Sequence, residues 1–403
     1  MLIFVGCELP RPKVLDQKSS GILYDTKYEA LLNSDKSLPL LEGAWRDYVE
    51  VLAEPAAIVA SNGTRKTWEV FFATNRALAP AGDRPDQLRG NNQAVATVNY
   101  GRAEITLPRR RRGVDPKREA DNNAAGDTVK FEMVRQLQAW EMAEGIRAQL
   151  ARSRQRDLLL FVHGFNVDFD EALIRTSQIA YDLPFNGAVI AYSWPTQSGI
   201  TKYRGDEQIN ADSVAPFTEF LQFLLAAVPP DTRINVVAHS MGNRIVMQAL
   251  GRLPTAERPP LAHVVLCAPD VGVSDFKRWA PGVQAQVQRV TLYASSGDTA
   301  LKSSKWLHRE QRAGDADPPL VIEGLETIDC SDIDFDFMGH SYYGSNVDVL
   351  SDLFAVLKQQ QRADQRVHLK KQTLAESELS YWSYQAHAPK MLWTWNFAEN
   401  WRR

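Results

Sequence analysis

The sequence predicts an α/β fold, a mostly parallel central sheet with helices on both faces, on three observations. Short, continuously apolar runs alternate with longer runs of helical period from residue 158 to about residue 359. The apolar runs lack a polar alternation, as strands covered on both faces should. Residues able to do chemistry fall just after those runs, at the carboxyl edge where open α/β sheets gather their sites. Strand, helix and strand in succession then call for right-handed crossovers.

Composition bounds the rest. With 403 residues the chain can form one large domain with additions, or two ordinary ones. Its 46 basic and 49 acidic side chains leave a net charge of -3, so nothing points to a nucleic-acid partner. Hydrophobic content of 44% and charged content of 24% are those of a soluble globular protein. No apolar run approaches the roughly 20 residues that span a bilayer. Cys7, Cys267 and Cys330 are too few and too scattered for a disulfide framework or a zinc site, and no metal or cofactor is expected. Cys267, inside an apolar run, reads as a small buried hydrophobe. Met1 to Cys7 resembles the end of a bacterial lipoprotein signal, but it is too short and lacks a positive leader. Membrane association is therefore expected only through lipidation of Cys7 from a start further upstream, and localisation stays open between cytoplasm and envelope.

Taken in order, residues 1–65 show no sustained period and read as an extension or linker. A folded α/β domain is expected over 66–360. It begins with the aromatic strand Trp68 to Arg76, followed by a Gly/Asp/Asn loop through Asn92. Ala94 to Tyr100 and Ala103 to Leu107 form a second strand or a hairpin about Gly101-Arg102. The run Arg109 to Arg112, flanked by prolines, reads as a solvated loop. Apolar residues from Phe131 to Leu150 recur at helical spacing, so a helix is predicted over 131–152.

The strand Leu158 to Val162 closes on His163-Gly164-Phe165-Asn166, and a helix follows from Asp168 to Tyr181. Ala188 to Tyr192 closes on Ser193-Trp194-Pro195, and a helix covers Glu207 to Val228. Strands at Ile234, His263 to Ala268, Val290 to Ala294 and Glu326 to Ile328 follow, then a loop with Gly339-His340-Ser341-Tyr342-Tyr343 and a helix from Asn346 to Gln359. Residues 361–403, with Trp382, Trp393, Trp395 and Trp401, are expected to be a docked tail.

The central motif is Ile234-Asn235-Val236-Val237-Ala238-His239-Ser240-Met241-Gly242-Asn243. A β-branched run passes without a loop into a helix-forming run, with a serine at the join. A serine on such a turn sits in strained backbone, and the residues two before and two after it must be small. Ala238 and Gly242 meet that need, although the usual first residue is glycine. The bland alternative is a serine capping an ordinary helix.

A serine nucleophile needs a base, an acid to orient the base, and N–H donors for the oxyanion. Phe165 and Met241 occupy the two donor positions. Of the seven histidines, His340 lies in a Gly-flanked loop after the last strand and is the better base; His308 falls in a basic helical run, and His239 is expected to pack. Asp298, ending the strand before the last, is the favoured acid, with Asp270 as the alternative. Trp194 and Tyr342 are candidate pocket walls.

These stretches together resemble a bacterial family of α/β-hydrolases of unknown function that carry an FFATNR segment. The matching pieces are Phe71 to Arg76, Phe161 to Asn166, Tyr192 to Pro195, Ala238 to Arg244, Ala268 to Asp270, Tyr293 to Leu301 and Gly339 to Tyr343. The resemblance implies the α/β-hydrolase fold, Ser240, Asp298 and His340 as a triad, and Ala238 as an ordinary variant of the elbow. The expected reaction is cleavage of a carboxylic ester of a small or lipid-like acyl substrate. Lipase, amidase or peptidase chemistry on the same fold, or a non-catalytic envelope-associated binding role, are the alternatives.

Overall fold

The computed structural model describes residues 55–61, 66–82, 84–107, 129–153, 155–183, 185–197, 199, 202–254, 260–333, 347–366, 368–374 and 378–385. Cys7, Arg109 to Arg112, His340, Tyr342, Trp393, Trp395 and Trp401 lie outside them.

Twelve described strands join in one sheet. In chain order they are β1 (Ile58–Ser61), β2 (Lys66–Ala81), β3 (Arg84–Leu107), β4 (Lys130–Leu137), β5 (Asp157–Val162), β6 (Gly187–Ser193), β7 (Arg233–His239), β8 (Leu261–Cys267), β9 (Val287–Ala294), β10 (Glu326–Asp329), β11 (Leu369–Thr373) and β12 (Ser380–Tyr384). Their spatial order is β11-β12-β10-β9-β8-β7-β5-β6-β2-β3-β4, with β1 beside β2. From β12 through to β2 every neighbouring pair is parallel. The order reverses at β5, because β6 lies on one side of it and β7 on the other. That switch point is where a crevice opens at the carboxyl ends of the strands.

The described helices are α1 (Ala139–Arg152), α2 (Phe169–Asp182), α3 (Tyr203–Asp212), α4 (Val214–Ala227), α5 (Gly242–Leu250), α6 (Val273–Gln286), α7 (Thr299–His308) and α8 (Val347–Leu357). Side chains along β5 divide between the two faces: Leu158, Leu160 and Val162 pack with α1, α4, α5 and α6, whereas Leu159 and Phe161 pack with α2 and α8. All six residues of β5 are buried, and each such aliphatic or aromatic side chain contributes about 1.5–3 kcal/mol. Cys267 is a buried free thiol in β8, as its apolar surroundings predict.

Five details differ from the sequence reading, the first being that Ile58–Ser61, within the stretch read as an extension or linker, pair with β2 as strand β1. Residues 131–137 are strand β4 and the helix begins only at Ala139. Phe131, Met133 and Leu137 fit a period of two as well as a helical one, and Gln138 closes the choice by donating its N–H to the Glu141 carboxylate at 2.7 Å. The helix expected over 207–228 is two helices, α3 beginning at Tyr203 and α4 ending at Ala227. They break at Ser213, where Pro216 removes an amide and crowds the carbonyl one turn back. Residues 84–107 form a single strand; Gly101 passes so close to β2 that a Cβ on it would fall 2.1 Å from the Phe72 ring. Finally, part of the stretch expected as a tail extends the sheet as β11 and β12. A buried cluster fastens it: Asp352 on α8 accepts from Arg366 (2.6 Å), from His368 and from Tyr293, and Arg366 also meets Glu326 at 2.8 Å.

Candidate active site

Ser240 stands at the end of β7 with φ 48°, one of five described non-glycine residues at positive φ. A β-carbon is crowded there, at a cost of order 1–3 kcal/mol. The surrounding hydrogen bonds hold it in place. Its N–H donates to the Cys267 carbonyl at 2.9 Å, while its own carbonyl accepts from the Asn243 side chain at 2.8 Å and from the N–H groups of Asn243 and Asp270, both at 3.2 Å. Asn243 Nδ2 also reaches the Cys267 carbonyl at 3.2 Å, so one buried side chain ties the turn to β8.

The small residues behave as the motif requires. A Cβ on Gly242 would lie 2.3 Å from the His163 carbonyl oxygen. Ala238 is fully buried opposite Val162 and its methyl joins the core, which explains why glycine is not needed there.

The β5 end meets this turn directly. A Cβ on Gly164 would stand 3.0 Å from Ser240 Cβ and 2.8 Å from His239 Nδ1. The backbone N–H groups of Phe165 and Met241 are thus on the two turns that flank Ser240. His163 is fully buried; its Nδ1 donates to the Gly164 carbonyl at 2.8 Å, and Nε2 accepts from the Trp194 N–H at 3.0 Å. Burial, then the charge of Arg76, pushes its pKa well down, so it stays neutral and fixes the loop rather than moving protons. Trp194, expected as a pocket wall, is fully buried. Its ring stacks on His163 at 5.4 Å and its indole N–H donates to the His163 carbonyl at 2.8 Å.

The FFATNR strand supports both loops. Arg76 is fully buried at an irregularity of β2, and such a bulge re-aims a side chain. Its guanidinium donates to Val167 O (2.8 Å), Ser193 Oγ (2.9 Å) and Asn92 Oδ1 (2.9 Å), joining the turn after β5 to the end of β6. Burial lowers its pKa to about 10, against the pull of Asp168 and Asp206. Asn75 donates to Ser213 Oγ at 2.9 Å and pins the α3–α4 break.

Asp270, the alternative acid, is engaged on both oxygens. Oδ1 accepts from Ser304 Oγ (2.6 Å) and pairs with Arg312 (3.2 Å); Oδ2 accepts from the Tyr203 hydroxyl and pairs with Arg244 (3.4 Å). Asp298 sits beyond the end of β9 and caps α7, one oxygen accepting the Leu301 N–H at 2.9 Å. His239 is half-buried, and burial followed by the Arg175 charge pushes its pKa down to about 3, which makes it a poor base near neutral pH. His308 packs between the Ser304 carbonyl (2.9 Å) and Glu207 (2.7 Å). His340 and Tyr342 lie outside the described residues. Among the described residues no three His, Cys, Asp or Glu side chains converge as a metal-ligand set.

Sequence reasoning missed Asn243, Arg76 and the cluster of Tyr203, Arg244, Ser304 and Arg312 around Asp270. The only signal for them was a polar Thr-Asn-Arg inside an otherwise apolar strand and an arginine one turn into the elbow helix.

Among solved structures, the chain is similar to esterase B from Lactobacillus rhamnosis, with 13% identity over 84% of this chain and 100% of that one and a TM-score of 0.29. It is similar to a hyperthermophilic esterase from the archaeon Pyrobaculum calidifontis as well, with 9% identity over 81% and 92% and a TM-score of 0.31. No curated protein matches the chain. The model of one family, described as alpha/beta hydrolase of unknown function (DUF900), matches residues 138–359, more than half the chain and the whole span from α1 through α8. The chain belongs to this family and is an α/β-hydrolase.

Proposed function

We propose that the protein is a serine hydrolase that cleaves carboxylic esters through an acyl-enzyme. Ser240 Oγ attacks the acyl carbonyl, His340 takes the proton and returns it to the leaving alcohol, and Asp298 holds the imidazole in the right tautomer. The N–H groups of Phe165 and Met241 receive the oxyanion. Water then attacks the acyl-enzyme with the same imidazole as base, releasing the acid and the free serine. An ester is preferred because an alkoxide leaves with less protonic help than an amine.

The observation that carries this reading is the positive φ of Ser240 on a turn clamped against Gly164. A serine that merely capped a helix would have no use for that geometry. The engagement of both Asp270 oxygens by Tyr203, Ser304, Arg244 and Arg312 argues against Asp270 as the orienting acid.

A fluorophosphonate probe tests it. Wild-type protein is expected to label at Ser240 and Ser240→Ala to remain unlabelled. Labelling that persists in Ser240→Ala, or a folded wild type that never labels, would overturn the assignment. A chain-length series of p-nitrophenyl esters beside matching anilides then separates ester from amide cleavage.

A further inference from the structure

We propose that α7 and the start of α3 form a docking surface for an anionic lipid bilayer. Bilayer docking does not depend on the catalytic reading; its consequence, that acyl substrate is taken from that surface, rests on Ser240 being the nucleophile.

Trp306 on α7 is 83% exposed, the most exposed of the large apolar side chains described. An indole has an apolar body and a polar N–H, which suits the headgroup level of a membrane. Lys302 and Arg309 are exposed four residues before and three residues after it, on its own side of α7, and Lys202 and Arg204 are exposed at the start of α3. None of the four has an ion-pair partner among the described residues. Tyr203 joins the two elements, its hydroxyl 3.0 Å from Ser304 Oγ and its ring 5.8 Å from that of His308.

The acids within these elements are buried or bonded, while Asp317, beyond α7, is exposed. Asp206 is buried, Glu207 is held by Arg244 and His308, Asp315 is buried with Lys305, and Glu310 is drawn to Ser274 at 2.6 Å. Asp298 caps α7. In a chain with a net charge of -3, this unpaired positive edge is a local arrangement rather than a reflection of overall charge.

The surface is at the same edge as Ser240. The segment after α7 crosses the carboxyl ends of β8 and β9, with Gly314 N–H donating to the Pro269 carbonyl at 3.0 Å and the Gly314 carbonyl accepting from Ser295 at 2.9 Å. Two hydrogen bonds lead inward from α7, from Ser304 to the Asp270 side chain (2.6 Å) and from Asp270 N–H to the Ser240 carbonyl (3.2 Å). A projecting indole with exposed basic side chains on its helix suits an anionic lipid surface.

The test is co-sedimentation of the full chain with vesicles of phosphatidylglycerol and phosphatidylcholine, or of phosphatidylcholine alone. Wild type is expected to bind the anionic vesicles and to be released by high salt. Each cation near such a surface is worth about fivefold in affinity, so Lys302→Glu with Arg309→Glu should weaken binding more than tenfold, and Trp306→Ala several-fold. Lys370→Glu with Lys371→Glu makes the same charge change on the edge strand β11 and should bind as wild type does. Ser240→Ala should also bind as wild type does, so failure of probe labelling with intact docking would sink only the catalytic reading. The four-arginine run at 109–112 would attract the same vesicles. Equal binding by the α7 and β11 variants, or no binding by wild type, would therefore overturn the proposal.

Discussion

Gly164 and Ser240 touch across the switch point of the sheet, leaving only 3.0 Å between the serine Cβ and the place where a side chain on the glycine would start. Real Cβ contacts are rarely so close, and the obstruction is backbone-linked on both sides. Gly164→Ala should therefore force apart the turns that carry the Phe165 and Met241 amides. The expected outcome is a loss of about 10²–10³ in kcat/KM on a soluble ester, the scale of losing an oxyanion donor, with the near-ultraviolet circular dichroism retained. Unchanged turnover would separate that glycine from the chemistry.

Asp270 and Asp298 should fail in different ways. Asp270→Asn leaves the guanidiniums of Arg244 and Arg312 without their shared counter-charge, and breaking a buried pair costs about 3–5 kcal/mol. Thermal melts should show that loss plainly. Asp298→Asn should leave the melt nearly unchanged and lower kcat by about 10³–10⁴, as expected when an imidazole is left in the wrong tautomer. The opposite pattern would exchange the two roles.

Asp206 makes stability depend on pH. It is fully buried at the start of α3, and burial raises its pKa to about 6, opposed by the Gln197 N–H bond and by Arg76. A carboxyl whose pKa is raised by folding stabilises the protein while protonated, below the unfolded value near 4, and loses that contribution as pH rises through about 6. Asp206→Asn, which cannot ionise, should gain on wild type over that window by about 2–3 kcal/mol. Denaturant melts at about pH 3, below both values, and at about pH 8 read it as ~0 against a clear gain. A variant equally displaced at both pH values would refute the assignment.

Asp352 is the fastening of the carboxyl-terminal strands. Burial alone would raise its pKa, but Arg366 and then His368 hold it below the ordinary range. Its contribution is therefore present above the unfolded value and is lost as pH falls through the folded one. Asp352→Ala leaves buried Arg366 with Glu326 as its remaining partner and removes the acceptor of His368 and Tyr293, and it should cost about 3–5 kcal/mol. Hydrogen exchange should show β11 and β12 opening well before β5 and β7.

The parallel core was legible because its strands are apolar on both faces and each closes on small or polar residues. Ser240 was legible because the elbow is a local steric problem with few solutions. The flanking β2–β3–β4 meander was less so: Phe131, Met133 and Leu137 satisfy two periods at once, and the paired residues are distant in sequence. The Asp270 cluster draws its members from α3, α5, α7 and the loop beyond, between residues 203 and 312, so no window of sequence contains it. Asp352 and His368 likewise acquire meaning only when β12 pairs with β10.

Arg76 precedes the family match by more than sixty residues, yet its guanidinium holds the turns after β5 and β6. The minimal autonomous unit is therefore longer than the matched span. A protein trimmed to 138–359 would keep the serine but release the turn after β5, and it would expose the flank of β6 that β2 covers. Such an uncovered strand is a template for self-association. Trimming at the edge of recognisable homology should accordingly yield an inactive, aggregating fragment, whereas a cut that retains β2 should leave a tractable enzyme.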